Sequence, residues 1–334
     1  MGHNESNFKI KGDGKINKDV TAGFSMEIRN DFSVVGFPDQ SVDQHGPDLQ
    51  PRSMYVFVKS SSLGEIRLAR TTAASDDGWY QELGTSTVGG LAGDLFAGGF
   101  KFRDNTAAHS LTGYTWTQAL GEWTDSSSVN RITYIKPTLG GFVGKVAFGG
   151  ADAVDASLSW TGKFDTFSAV AGVGNNAYQE HELAKGGFGK GIGTKQTDYG
   201  FSGSISESGS GLFLTGAYGV ATVDDSAYTD KTFYMIHGGW AKNVTALGLT
   251  TIDAQYYKAN NGVNDFNLLD KAAGMSSTGH TIGFGIDQAL DPVASNIYLH
   301  AQRDTLDPSA EITAKKKIDS QSIDSITAGM IVRF

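Results

Sequence analysis

The sequence predicts an all-β fold, a transmembrane antiparallel β-barrel, on three observations. Apolar and polar side chains alternate over strand-length segments, the connections between those segments alternate long and short, and no apolar run reaches the roughly 18 residues of a helical span. A period of two sends successive side chains to opposite faces of a strand. Phe8 and Ile10 thus oppose Lys9 and Lys11, and Phe24, Met26 and Ile28 oppose Ser25, Glu27 and Arg29. Tyr199, Phe201 and Ile205 oppose Ser202, Ser204 and Ser206, and Ile282, Phe284 and Ile286 oppose Gly283, Gly285 and Asp287. In the last segment Ile326, Ala328, Met330, Val332 and Phe334 share one face, with Ser325, Thr327, Gly329 and Arg333 on the other and Ile331 breaking the pattern. A soluble sandwich of this size should also contain strands apolar on both faces, and few are visible.

The pattern places strands at 7–16, 19–29, 53–60, 65–73, 130–136, 142–149, 155–163, 166–173, 198–207, 212–222, 232–242, 250–259, 280–289, 296–305 and 324–334. Tight turns (17–19, 62–64, 163–165, 209–211) alternate with long polar connections (30–51, 74–129, 174–197, 260–278, 306–321), as in outer-membrane barrels with short periplasmic turns and long external loops. The count is odd, whereas such barrels usually close with an even number. A lipid-facing edge cannot satisfy its N–H and C=O groups, so we expect a missing or separately supplied strand, or a differently placed start.

The 334 residues are read as one domain, 1–334. Cysteine is absent, which excludes disulfides, thiolate nucleophiles and Cys-type metal sites. A net charge of -9 argues against a phosphate-tracking surface, so nucleic acid is set aside as a partner. His181-Glu182-Leu183-Ala184-Lys185 lacks the second His of a zinc helix. Gly187 to Gly193 lacks the Lys-Ser/Thr step of a phosphate loop, and the remaining His residues are scattered, so no catalytic residues are expected. Calcium, which prefers oxygen ligands, is conceivable at loop carboxylates, but no EF-hand spacing is present.

Three passages resemble the trimeric general-diffusion porins of Gram-negative bacteria. Ser6 to Gly12 followed by Thr21 to Ile28 is similar to that family's second and third strands. Asn130 to Pro137 followed by Gly141 to Phe148 is similar to its hairpin after the constriction loop, and Phe334 to its C-terminal aromatic. The resemblance implies a 16-stranded barrel in the outer membrane, passing small hydrophilic solutes and ions by diffusion. It also implies a homotrimer formed through the early strands, with the 30–51 loop latching a neighbour, in contact with outer-membrane lipid and lipopolysaccharide. Lys315-Lys316-Lys317 is a candidate contact for the latter, though a solvated loop is the commoner role for such a run.

The insert 72–129 is too long for an ordinary connection and is the best site candidate. It carries Asp76, Asp77, Glu82 and Asp94, and Asp94-Leu95-Phe96-Ala97-Gly98-Gly99 resembles the acidic stretch of the family's loop that folds into the lumen. Trp79, Tyr80, Phe96, Tyr114, Trp116 and Trp123 could pin such a loop to the wall. Opposite it, the resemblance places Lys9, Lys11, Arg29, Arg70 and Arg131 as basic constriction residues. Alternation supports Lys9, Lys11 and Arg29 on one face but cannot put Arg67 and Arg70 together, and the resemblance selects Arg70. Two other readings stand beside the pore: a barrel with a plugged lumen whose loops bind a surface partner, and a soluble carbohydrate-binding β-protein.

Overall fold

The computed structural model describes residues 6–31, 48–87, 89–90, 100–105, 107–120, 128–149, 153–178, 196–224, 230–261, 276–309 and 320–333. In chain order the first strands are β1 (Ser6–Lys15), β2 (Val20–Asp31), β3 (Asp48–Ser60) and β4 (Gly64–Thr71). The insert contains α1 (Asp76–Trp79), β5 (Lys101–Arg103), β6 (Leu111–Thr115) and α2 (Trp116–Leu120). The wall resumes with β7 (Val129–Ile135), β8 (Phe142–Gly149), β9 (Ala153–Phe164), β10 (Phe167–Tyr178), β11 (Gln196–Glu207) and β12 (Leu212–Val223). It ends with β13 (Lys231–Thr245), β14 (Gly248–Asn260), β15 (Ser276–Leu290), β16 (Ser295–Ser309) and β17 (Ile323–Val332).

Fifteen of these strands form one antiparallel sheet in which each pairs with its neighbour in sequence, β4 pairing with β7 across the insert. Among the described residues β1 and β17 are the two ends of that ladder, while β5 and β6 make a separate pair. The sheet is the wall of a transmembrane barrel of the expected class. The short turns follow from local chemistry. The Asn17 side chain accepts the Asp19 and Val20 amides at 2.8 and 2.9 Å. The Glu207 carboxylate likewise accepts the amides of Gly209 and Ser210, ahead of Gly211 at φ +82°.

Several strands run farther toward the long connections than alternation suggests. β3 starts at Asp48 rather than 53, β15 at Ser276 rather than 280, and β16 continues to Ser309. Backbone pairing needs no apolar side chain, so a ladder can extend past the point where the membrane stops imposing a pattern.

Burial is inverted relative to a soluble protein. Phe284 is 62% exposed and Ile236 53%, whereas Ser202 and Asp304 are fully buried. The apolar rows face outward and the polar rows inward. Toward the long-loop end the outer face carries Tyr199, Tyr218, Tyr234 and Tyr256. Toward the turn end it carries Phe142, Trp160, Phe167 and Trp240. Trp240 Nε1 donates to the Ser210 carbonyl at 3.0 Å and Tyr134 Oη to the Leu63 carbonyl at 2.8 Å, so each ring is apolar toward lipid and polar toward the rim.

Because the outer face meets hydrocarbon, Ile236→Arg should cost about 2–4 kcal/mol, a charge near the bilayer midplane. Urea unfolding of lipid-reconstituted protein measures it, and Lys11→Ala on the inner face should change stability far less.

Candidate functional site

The insert lies along the inner face of β9 to β16, held by a row of backbone amides that point at wall side chains. Ser75 N–H donates to Asp155 Oδ1 at 2.9 Å, Gln81 to Ser202 Oγ at 2.9 Å and Leu83 to Ser204 Oγ at 3.0 Å. Thr87 donates to Asp287 Oδ1 at 3.0 Å and Gly90 to Gln255 Oε1 at 2.7 Å. The two-residue step on the insert, Gln81 to Leu83, matches the two-residue step on β11, Ser202 to Ser204. An extended segment is therefore read by side chains in place of a backbone ladder. In the other direction, Ser157 Oγ donates to the Ala74 carbonyl at 2.6 Å.

Two features of the wall make room for this. A Cβ at Gly200 or Gly174 would overlap the Trp79 ring, so those side-chain-free positions let α1 lie flat on β10 and β11. A Cβ at Gly279 would overlap Leu120 in the same way. Trp79 and Trp116 are buried as the sequence anticipated, and Tyr80 packs partly buried against the apolar cluster that contains Trp116. The side chain of Tyr114 and the residues Phe96 and Trp123 lie outside the described residues.

Farther along, Phe102, Trp116, Ala119 and Leu120 pack on Ala217, Phe233, Met235, Tyr257, Ala259 and Leu306 of the inner wall. Phe233 and Tyr257 stack with centroids 5.6 Å apart. Fully burying a side chain such as Leu120 contributes roughly 1.5–3 kcal/mol, so this cluster is the insert's apolar anchor as the amide row is its polar one. The Gln321 amide also donates to the Arg103 carbonyl at 2.7 Å, joining β5 to the segment before β17.

Charged groups complete the docking. Arg131 Nη1 lies 2.6 Å from Asp155 Oδ2, both side chains almost wholly buried. The imidazole of His237, also buried, stands between the insert and the wall, with Nδ1 2.5 Å from Glu82 Oε1 and Nε2 3.3 Å from Asp253 Oδ1.

Across from the insert, register puts Lys9, Lys11 and Arg29 on the inner row, as alternation required. Lys9 Nζ lies 3.3 Å from Glu27, which also takes Arg52 at 2.8 Å. Lys11 Nζ stands 5.5 Å from the centre of the Phe57 ring, and Arg29 donates to Gln50 at 3.0 Å.

Two basic positions need correction. Arg70 pairs with Met54 and Asn130, in the outward row with Ile66 and Leu68, and its Nε donates to the Pro51 carbonyl at 3.0 Å. It is Arg67, opposite Phe57 and Thr133, that shares the inner row, 2.6 Å from Glu65 and stacked on Tyr55. Arg131 is on the inner face but is buried and paired with Asp155, the carboxylate that takes the Ser75 amide of the insert, rather than open to lumenal water.

Of the acidic positions, Glu82 meets His237, Asp76 is half-buried at the start of α1, and Asp77 follows it in the helix, its side chain outside the described residues. Asp94, Phe334, Lys315 to Lys317, residues 32–47 of the 30–51 connection and the 181–193 motifs also lie outside the described residues.

Sequence reading missed Asp155, Asp253 and Asp287, and treated His237 as one of several scattered histidines. One signal was available: Phe233, Tyr234, Met235 and Ile236 are apolar on both faces, and an inward apolar pair in a water-filled barrel must be covered by something. Among the described residues no group of three or more His, Asp and Glu side chains could hold a metal ion. A hollow of about 1000 Å³ bounded by Ile205, Leu214, Gly238, Ile252 and Phe284 opens on the lipid-facing side and is not the lumen.

A barrel with an apolar exterior, a polar interior and an extended segment pinned inside it defines a membrane channel of the outer-membrane type. The family model of Gram-negative porins matches residues 1–308, and the chain belongs to that family. It forms an outer-membrane channel for passive diffusion of small hydrophilic solutes and ions. Among solved structures it is similar to the anion-selective porin from Comamonas acidovorans, at 15% identity and TM-score 0.59, covering 99% of this chain and 90% of that one. It is similar also to Salmonella typhi OmpF in complex with daunomycin, at 12% identity and TM-score 0.58, covering 97% and 89%. A third is in-vitro folded OmpT of Vibrio cholerae, an outer membrane protein, at 13% identity and TM-score 0.57, covering 98% and 88%. At these identities the likeness is one of fold. No curated protein matches the sequence.

Removing one member of a buried ion pair strands the other. Asp155→Ala should therefore cost about 3–5 kcal/mol in urea unfolding, and the double variant Asp155→Leu with Arg131→Met should recover most of that loss.

Proposed function

We propose that the docked 72–129 insert is the constriction of this porin, limiting solute size by occupying one side of the lumen while leaving the inner face of β1 to β4 to the water column. One observation carries this reading: the insert's bonds and packing run along β9 to β16, while the cationic side chains of β1 to β3 keep open surface, Lys9 at 53% and Arg52 at 46%. Transport is by size and field, with no covalent step, no catalytic residue and no cofactor. Calcium at loop carboxylates, if bound, would be structural.

Lys9, Lys11, Arg29 and Arg67 line the open side of the constriction, and Glu82 and Asp76 belong to the docked side. The protein works as a homotrimer, a state supported by the family resemblance and by the trimer form of the Vibrio cholerae neighbour. Its long-loop end faces lipopolysaccharide.

Planar bilayers containing refolded protein should show ohmic single channels, and liposomes should swell in sugars at rates that fall with sugar size; folded protein that leaves bilayers silent overturns the pore. Trp79→Ala combined with Leu120→Ala removes two buried anchors of the insert. Single-channel conductance should then rise and the size cutoff widen, while unchanged conductance and cutoff would show that this segment is not the constriction.

A further inference from the structure

The lumenal charges of this acidic chain are sorted by accessibility. On the inner face the carboxylates of the later strands are sequestered: Asp155, Asp198, Asp253, Asp287 and Asp304 are each buried to at least 97%. Each meets a protein group. Asp155 holds Arg131 and the Ser75 amide, and Asp198 accepts from the Gln196 amide at 2.8 Å. Asp253 faces His237, Asp287 accepts from Thr87, and Asp304 accepts from the Thr281 hydroxyl at 2.6 Å and from Gln302. They serve as acceptors for the insert and the wall, where water and ions do not reach.

The cations are distributed the other way. Lys9, Lys11, Arg29, Arg52, Lys59 and Arg67 sit on β1 to β4, exposed or half-buried on the side that the insert does not line. Among the described side chains the carboxylates beside them are Glu27 and Glu65, with Asp13 at the turn end, and register also puts Asp31 and Asp48 on this row at the long-loop end. Glu27 is shared between Lys9 and Arg52, and Glu65 is paired with Arg67. Asp13 and Lys15 oppose each other in sign at the turn end of β1. An ion in the water column is screened by salt from charges more than about 10 Å away at 0.1 M, so it responds most to the groups on the open wall that it passes. Of the buried carboxylates, Asp155 and Asp253 face Arg131 and His237, and the other three accept hydrogen bonds from uncharged groups. Low-dielectric walls strengthen the field of those groups in a narrow pore.

We infer, resting on the pore reading, that this channel prefers small anions, inorganic and carboxylate- or phosphate-bearing alike. The net charge of -9 misleads because it counts these five carboxylates, which hold the wall and insert together instead of lining the water.

The test is the reversal potential of single channels in a KCl gradient. Full-length refolded protein should reverse with the sign of chloride preference. Lys9→Gln combined with Lys11→Gln should lower the chloride-to-potassium permeability ratio by roughly two- to fivefold while keeping open channels. Asp198→Asn, which changes a buried charge, should leave the ratio as it was. Conducting channels that reverse with potassium preference overturn the inference and leave the pore standing. So does an Asp198→Asn shift as large as that of the lysine pair. Silent bilayers overturn the pore and the inference together.

Discussion

Everything in this structure depends on one constraint: inside a bilayer, a backbone N–H or C=O that finds no partner in the protein finds none at all. The ladder from β1 to β17 meets that demand between neighbouring strands, with the outer edges of β1 and β17 as its two ends among the described residues. It also decides where side chains go. With hydrocarbon outside, the apolar row of each strand turns outward and the polar row is left to face the interior, so much of what is buried is Ser, Thr, Asp, Gln and His, beside the apolar cluster under the insert.

A polar interior is what allows a long insert to be held in place without joining the sheet. The insert brings unpaired amides, and the wall offers carboxylate, hydroxyl and amide oxygens at matching spacing, as between Gln81 and Leu83 on one side and Ser202 and Ser204 on the other. The apolar cluster around Phe233, Met235 and Leu120 adds a directionless attraction, and the Arg131–Asp155 pair and the His237 bridge add register. The same carboxylates thereby leave the water, which shifts the electrostatic character of the remaining lumen toward the lysines and arginines of the early strands.

Much of the wall was legible in the sequence because alternation is a local signal. Phe24, Met26 and Ile28 against Ser25, Glu27 and Arg29 announces a strand and its inner face without reference to anything distant. Alternation marks fifteen such segments, and the described residues form fifteen wall strands. The choice between Arg67 and Arg70 shows the limit: alternation said that they part company, but which of them faces inward depends on β4 being read against Phe57 and Thr133 on its neighbours. Arg131 shows another limit, since its parity is right and its role differs because Asp155, which also takes the Ser75 amide, meets it from elsewhere in the chain.

The sequence by itself determined the class of fold, the faces of most strands, the positions of the tight turns and the existence of an insert too long to be a simple connection. Each of these is set by contacts within a few residues or by the solvent that a face must meet. Only the tertiary structure decided where that insert lies, which lumenal charges it covers, and that His237 bridges Glu82 and Asp253. Those outcomes join residues 155 and 171 positions apart, and no local pattern encodes a meeting at that distance.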